Sequence, residues 1–140
     1  MTVLALVWSV FVSCKKQTDT APDPTAILVG KTWQVDELRY VQLNKSYYYK
    51  RGNTANNVNY DDAVIKFNAD GTGMTRWQGN SYALNWYFDS TKTKITYTLS
   101  SGASIIWDNL TFSESMITYT EYYSMGGVVS QAYGVRTRQL

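Results

Sequence analysis

From Ala63 onward the chain alternates between apolar and polar positions in short, regular blocks. Ala63-Val-Ile-Lys-Phe-Asn68 is rich in β-branched and aromatic residues, and Met74-Thr-Arg-Trp77 follows it in the same style. Between them Asp70-Gly71 supplies residues that tolerate positive φ, so the stretch predicts a β-hairpin. Ile65 and Phe67 share a face; Met74 and Trp77 fall in opposite phases. Ser81 to Phe88 alternates cleanly, with Tyr82, Leu84, Trp86 and Phe88 on one side and Ala83, Asn85 and Tyr87 on the other. Lys94 to Leu99 does the same through Ile95, Tyr97 and Leu99. Ile105 to Phe112 carries apolar residues in both phases, Ile105 and Trp107 in one and Ile106, Leu110 and Phe112 in the other. Met116 to Ser124 and Val128 to Arg138 complete the series, and in the last of these Val129, Tyr133 and Val135 share a phase. Turn-forming clusters separate the runs at residues 89–92, 100–102, 113–115 and 125–127.

Upstream the pattern is less regular. A run opening near Ile27 continues to Leu43, but its apolar positions change phase between Val35 and Leu38. A bulge near Asp36-Glu37 reconciles the two halves, and a long, bent first strand suits barrel closure. Asn44 to Asp61 has no clear period and is rich in Asn, Tyr and Lys. It reads as a long loop or imperfect hairpin, with Tyr47 to Lys50 extended. A loop of that length is as compatible with a functional role as with an exposed excursion without one. The whole predicts an all-β domain of about eight strands. Sequential hairpins of this kind close most simply as an antiparallel up-and-down barrel, which removes both exposed edges.

The N-terminus belongs to another physical class. Residues 1–13 carry no charge, and Val3 to Val12 is almost wholly apolar. That run is shorter than the roughly 20 residues a bilayer-spanning helix needs and fits the apolar core of a secretory signal. It ends Phe11-Val-Ser-Cys14, which resembles a bacterial lipobox, and Cys14 is the chain's one cysteine. The resemblance implies lipidation at Cys14 and a bacterial cell-envelope location, as an outer-membrane lipoprotein held by its lipid. Residues 14–26, polar and containing both prolines of the chain, read as a tether. A Cys-Lys-Lys start before such a linker resembles lipoproteins of the Bacteroidetes. The domain then occupies residues 27–140.

The domain resembles the small lipocalin-like domains of bacterial envelope lipoproteins. The likeness spans about Leu28 to Arg138 and rests on Leu28-Val-Gly-Lys-Thr-Trp33, on Ile65-Lys-Phe-Asn-Ala-Asp-Gly-Thr72, and on the strands of Trp86 and of Ile105-Ile-Trp107. Lipocalins open with Gly-x-Trp, whereas Gly30 and Trp33 stand one residue further apart. The resemblance implies that Arg136 or Arg138 on the last strand packs over Trp33 and closes the barrel. It implies no particular ligand.

Composition changes the picture chiefly by exclusion. There is no histidine, and acylation would consume Cys14. The usual zinc sites, the Ser-His and Cys-His nucleophiles and the commonest general base are therefore missing. Adjacent carboxylates such as Asp36 and Glu37 point to opposite faces of a strand and cannot pair as in a glycosidase. Asp108 and Glu121 stand inside strands and either could face a cavity, although an outward charge on a solvated face is the ordinary case. Asn68 to Gly73 is a turn without the later acidic ligand of a calcium loop. The net charge of +2 is too small and scattered for nucleic acid. Tyr47-Tyr-Tyr-Lys-Arg51 could stack on a ring or simply lie at the surface.

The chain is thus expected to be a non-enzymatic, cofactor-free and metal-free lipoprotein. Its barrel would hold a small hydrophobic or amphipathic ligand, walled by Leu84, Trp86, Ile95, Tyr97, Leu99, Ile117 and Tyr119. The competing expectation is a solid barrel that serves as a structural or interaction protein and meets another envelope protein through residues 44–61.

Overall fold

The computed structural model describes residues 22–125 and 128–139. The signal-like segment, Cys14, most of the tether and the Gly126-Gly127 turn lie outside them. A short helix, α1 (Pro24–Leu28), precedes nine strands: β1 (Thr32–Gln42), β2 (Lys45–Lys50), β3 (Val64–Phe67), β4 (Thr72–Trp77), β5 (Asn80–Phe88), β6 (Ile95–Leu99), β7 (Ser104–Phe112), β8 (Met116–Met125) and β9 (Val128–Arg138). All strand pairings are antiparallel, and β9 returns to pair with β1. The result is a closed eight-stranded up-and-down barrel, with β2 as an extra strand outside the closure.

The helix starts within the stretch expected to be tether. Asp23 caps it by accepting from the Thr25 backbone N–H, Pro24 opens it, and Ile27 and Leu28 bury themselves under the barrel. This end is solid. Trp33, Ile65, Phe67, Ile95 and Trp107 are completely buried there. Phe67 meets the rings of Trp86, Trp107 and Tyr97 edge-on at 5.2, 5.6 and 6.2 Å. Trp33 donates its indole N–H to the Leu28 carbonyl at 2.9 Å and so ties the cap to the first strand. The Ala63–Trp77 hairpin is locked from the same core. Asp70 accepts from Thr72 in an Asx turn, Gly71 takes a φ of +83°, and the Trp86 indole N–H reaches the carbonyls of Asn68 and Thr72 at 3.0 Å.

Two phase changes in the sequence are register shifts in the ladder. One falls between Val35 and Glu37, so that Val35 and Leu38 both face inward. The other falls between Asp108 and Thr111, where Asn109 adopts a φ of +52°. It lets Ile105 and Trp107 share the interior with Leu110 and Phe112, which pack against the same core.

In β9 the apolar phase of Tyr133 and Val135 divides: Val135 is buried, but this phase does not line the cavity. Tyr133 is exposed, the side chain of Val129 lies outside the described residues, and the inward positions are Ala132, Gly134 and Arg136. The reason is Tyr119: its ring lies where a side chain at 134 would stand, so the interior there needs no apolar group.

The 44–61 segment is neither a plain loop nor an exposed excursion. Leu43 and Asn44, both at positive φ, turn the chain back into β2, which pairs with the far half of β1 from Glu37–Lys50 to Gln42–Lys45. β3 pairs with β1 only over Thr32–Gln34. Beyond that point β2 and residues 51–63 cover the wall. Tyr49, expected at the surface, is fully buried with Val35, Leu38 and Ala63 in a second small core. The asparagines explain themselves along the free edge of β2. Asn57 accepts from Tyr48 N–H, donates to Ser46 C=O, and its own backbone N–H reaches Tyr48 C=O. Asn56 bonds both the N–H and the C=O of Lys50. Side-chain amides thus stand in for a missing strand and leave the edge little to offer a neighbour.

Candidate functional site

The other end of the barrel is hollow. Because β3 parts from β1 early and the inner residues of β9 are small, a cavity of about 510 Å³ remains between the packed floor and the loops above it. That volume falls within the range of small-molecule sites. Its wall is mainly rings: Tyr40 from β1, Tyr60 from the covering segment, Trp77 and Tyr82 from the β4–β5 hairpin, Tyr97 from β6 and Tyr119 from β8.

Several of these rings are held by the covering segment. Tyr60 stacks on Trp77 at 5.7 Å, meets Tyr49 edge-on, and shares a hydroxyl contact with Tyr40 at 3.5 Å. Tyr49 donates to Asp61 at 2.7 Å, and Arg51 donates to the Val35 carbonyl through Nε and Nη2. The neighbouring carboxylate of Asp62 accepts from the backbone N–H groups of Gln78 and Gly79 and so pins the β4–β5 turn to the same cover. Burial pushes the Tyr60 hydroxyl well above the ordinary tyrosine range, and the contact with Tyr40 adds to it. Residues 51–63 are therefore a fitted cover rather than a dangling excursion.

Inside the rim, where Arg76 is exposed, two further charges reach the cavity from neighbouring strands. Arg136, only 7% exposed, donates Nε to the Tyr119 hydroxyl at 3.0 Å and Nη1 to the Trp33 carbonyl at 3.4 Å. Its guanidinium lies over the Trp107 ring at 5.1 Å and near the Tyr119 ring at 5.8 Å, and those two rings stack on each other at 4.1 Å. Burial alone would pull this guanidinium down; the oxygens of Tyr119, Tyr97 and Glu121 outweigh it, and the group stays charged. Glu121 accepts from the Trp107 indole N–H at 2.8 Å. Burial and the nearby Glu121 charge hold Tyr97 far above its ordinary value. Tyr119 is raised by burial to about 12, with Arg136 opposing.

The proposed ligand wall divides in two. Tyr97, Leu99 and Tyr119 line the cavity. Leu84, Trp86, Ile95 and Ile117 face inward too, but they belong to the solid floor and do not reach the open space. Alternation places a residue on the inner face without saying how far along the axis the barrel is filled. Of the two candidate closing arginines, Arg136 is the buried one. It reaches the Trp33 carbonyl rather than the Trp33 ring and lies over Trp107 instead. Arg138 pairs with Trp33 across the ladder with its side chain exposed.

Trp77 escaped the reading of the sequence, in which a cavity-facing Glu121 is only the less ordinary of two cases. Glu121 has the spacing of an inner residue, two positions from both Tyr119 and Tyr123, and its charge masked that signal. Asp108 faces out and pairs with Lys94 at 3.1 Å. Compared with known proteins, the chain matches no protein-family model and no curated sequence. The class of the protein rests on its architecture: a closed antiparallel barrel, capped and solid at one end and hollow at the other.

Proposed function

We propose that this chain is a lipid-anchored envelope lipoprotein of lipocalin-like type whose barrel holds a small molecule with an apolar or aromatic body. The observation that carries the binding reading is the cavity of about 510 Å³ bounded by tyrosine and tryptophan rings. Beside the rings, the lining carries polar groups such as Gln42, Thr75, Ser101, Glu121 and Arg136, so apolar surface sets which bodies fit and the polar groups set orientation. In this reading the covering segment is part of the binding wall, and the protein acts by holding a ligand rather than by transforming it. The anchor half of the reading rests on the lipobox-like sequence ending at Cys14.

Each half has its own test. Titration with a hydrophobic dye or with fatty acids should change tryptophan emission saturably, and Trp77→Phe should remove most of that change. Trp86, whose indole is engaged in the floor, should contribute little. Absence of saturable binding to every such probe would refute the binding half. For the anchor, wild-type protein isolated from cells should carry the mass of a lipid, and Cys14→Ser should lose that mass and leave the membrane fraction. Identical mass and partitioning of the two proteins would refute it.

A further inference from the structure

A carboxylate in the wall of a ring-lined cavity needs an account, and the ladder gives its position. On β8 the inner residues run Ile117, Tyr119, Glu121 and Tyr123 from floor to mouth. Across the strand pair Glu121 faces Ala132, whose short side chain leaves open space before the carboxylate. Arg136 pairs with Ile117, two inner positions deeper. Inside the rim, a molecule entering from the mouth therefore meets Glu121 before Arg136.

The two charges also differ in what they have left to give. Arg136 is nearly closed off, with Nε and Nη1 engaged and its guanidinium set against two rings. Those contacts make it part of the barrel's closure. Glu121 is less buried, and its bond from Trp107 uses one of about four acceptor positions on a carboxylate. Around it the cavity presents the rings of Tyr60, Tyr97 and Tyr119. Aromatic faces carry negative potential and favour cations. At the rim Arg76 is exposed, where solvent and salt screen it.

We infer that Glu121 is the recognition group of this cavity and that the ligand is an organic ammonium compound, with an apolar or aromatic body and a protonated amine head. The amine donates to the Glu121 carboxylate beside Ala132, in a cavity that Tyr60, Tyr97 and Tyr119 also line. This inference rests on the small-molecule reading of the barrel and goes beyond it by naming the head group. A carboxylate-headed ligand would have to pass Glu121 to reach Arg136.

Three probes that differ only in the head group test it: 4-phenylbutylamine, 4-phenylbutanol and 4-phenylbutanoate, titrated calorimetrically into the purified full chain at neutral pH. The amine should bind about tenfold or more tighter than the alcohol, as a charge-assisted hydrogen bond allows, and the carboxylate should bind weakest. Glu121→Gln should erase the amine's advantage and leave the alcohol's affinity in place. Equal affinities for amine and alcohol would make Glu121 a mere counter-charge for Arg136 and overturn the inference while the cavity reading stands. A preference for the carboxylate would move recognition to Arg136 and overturn it as well. Failure of all three probes would remove the cavity reading, and this inference with it. The three-way comparison on the unaltered chain decides the outcome even if Glu121→Gln proves too unstable to purify.

Discussion

Replacing Gly134 by alanine puts one methyl group where the Tyr119 ring already is. The added carbon would lie 2.3 Å from Cζ, 2.5 Å from the hydroxyl oxygen and 2.6 Å from Cε2 of that ring. The ring has few places to go, because it stacks on Trp107 at 4.1 Å and its hydroxyl accepts from Arg136 at 3.0 Å. Overpacking of this kind costs about 1–3 kcal/mol. Losing the stacked ring pair adds about 0.5–1.5 kcal/mol. Alanine in place of a strand glycine returns about 0.5–1 kcal/mol by restricting the unfolded chain. The balance is a destabilisation of about 1–3 kcal/mol, read as a lower urea midpoint at unchanged slope. A double-mutant cycle isolates the cause. Tyr119→Leu vacates the space, so Gly134→Ala should cost far less in that background, with a coupling of about 1–2 kcal/mol. A neutral or stabilising Gly134→Ala, or strict additivity with Tyr119→Leu, would refute the packing of this ring over β9.

Other perturbations separate the parts of the fold. Trp33→Phe keeps a ring in the floor but leaves the Leu28 carbonyl without its donor; a loss of about 1–3 kcal/mol in chemical denaturation is expected, and under about 0.5 kcal/mol would mean that the cap is not tied through the indole. Asn57→Ala uncovers two backbone groups on β2, the Tyr48 N–H and the Ser46 carbonyl, and should speed amide exchange at Tyr48 and promote self-association in sedimentation, whereas unchanged exchange there would show that the edge was never covered. Tyr49 and Tyr119 are both raised by burial from 10.0 to about 12. A raised folded value means stability that is complete below pH 10 and lost as pH climbs through about 12, because the unfolded chain releases those protons first. Tyrosinate absorbance should thus rise in step with loss of structure across that interval, and full titration of all tyrosines near pH 10 in a still-folded barrel would contradict it.

How much of this was legible in the residues follows from where the sequence pattern and the packing coincide. The hairpins from β3 to β8 were readable because their turn residues and their alternation agree, as in Asp70-Gly71 between Phe67 and Met74. The bulge at Asp36-Glu37 was readable as a change of phase, whereas the two phases of Ile105 to Phe112 read as a strand covered on both sides and proved to be a second bulge between Asp108 and Thr111. β2 was legible as one of two readings, the imperfect hairpin with Tyr47 to Lys50 extended; what hid its edges is that one pairs with β1 and the other is satisfied by the amides of Asn56 and Asn57. The last strand was legible only in part: Val135 is buried, but the cavity face consists of a small residue, a glycine and an arginine, while Tyr133 turns outward. Of the seven candidate wall residues only Tyr97, Leu99 and Tyr119 border the cavity, for a related reason. Periodicity reports which side of a strand faces in, and the depth at which rings stop filling the barrel depends on contacts between strands distant in sequence. Trp86 is as inward as Tyr97, yet it spends its indole on the turn at Asn68 and Thr72.

The seam between β1 and β9 also sets a timetable. The Arg136–Trp33 contact joins residues 103 positions apart, and the ladder beside it runs from Trp33–Arg138 to Tyr40–Ala132. No earlier strand can stand in for β9 there, because each is already engaged with its neighbours in the meander. A chain made from its N-terminus outward therefore completes one hairpin after another with one long edge of β1 still bare. Closing so long a loop is entropically slow, and domains dominated by such pairings fold over milliseconds to seconds. Until the final dozen residues arrive, the fused rings of the floor and that bare edge are both open to other chains. The vulnerable moment of this barrel is its last step of assembly, and a holding partner or a rapid exit would matter most there.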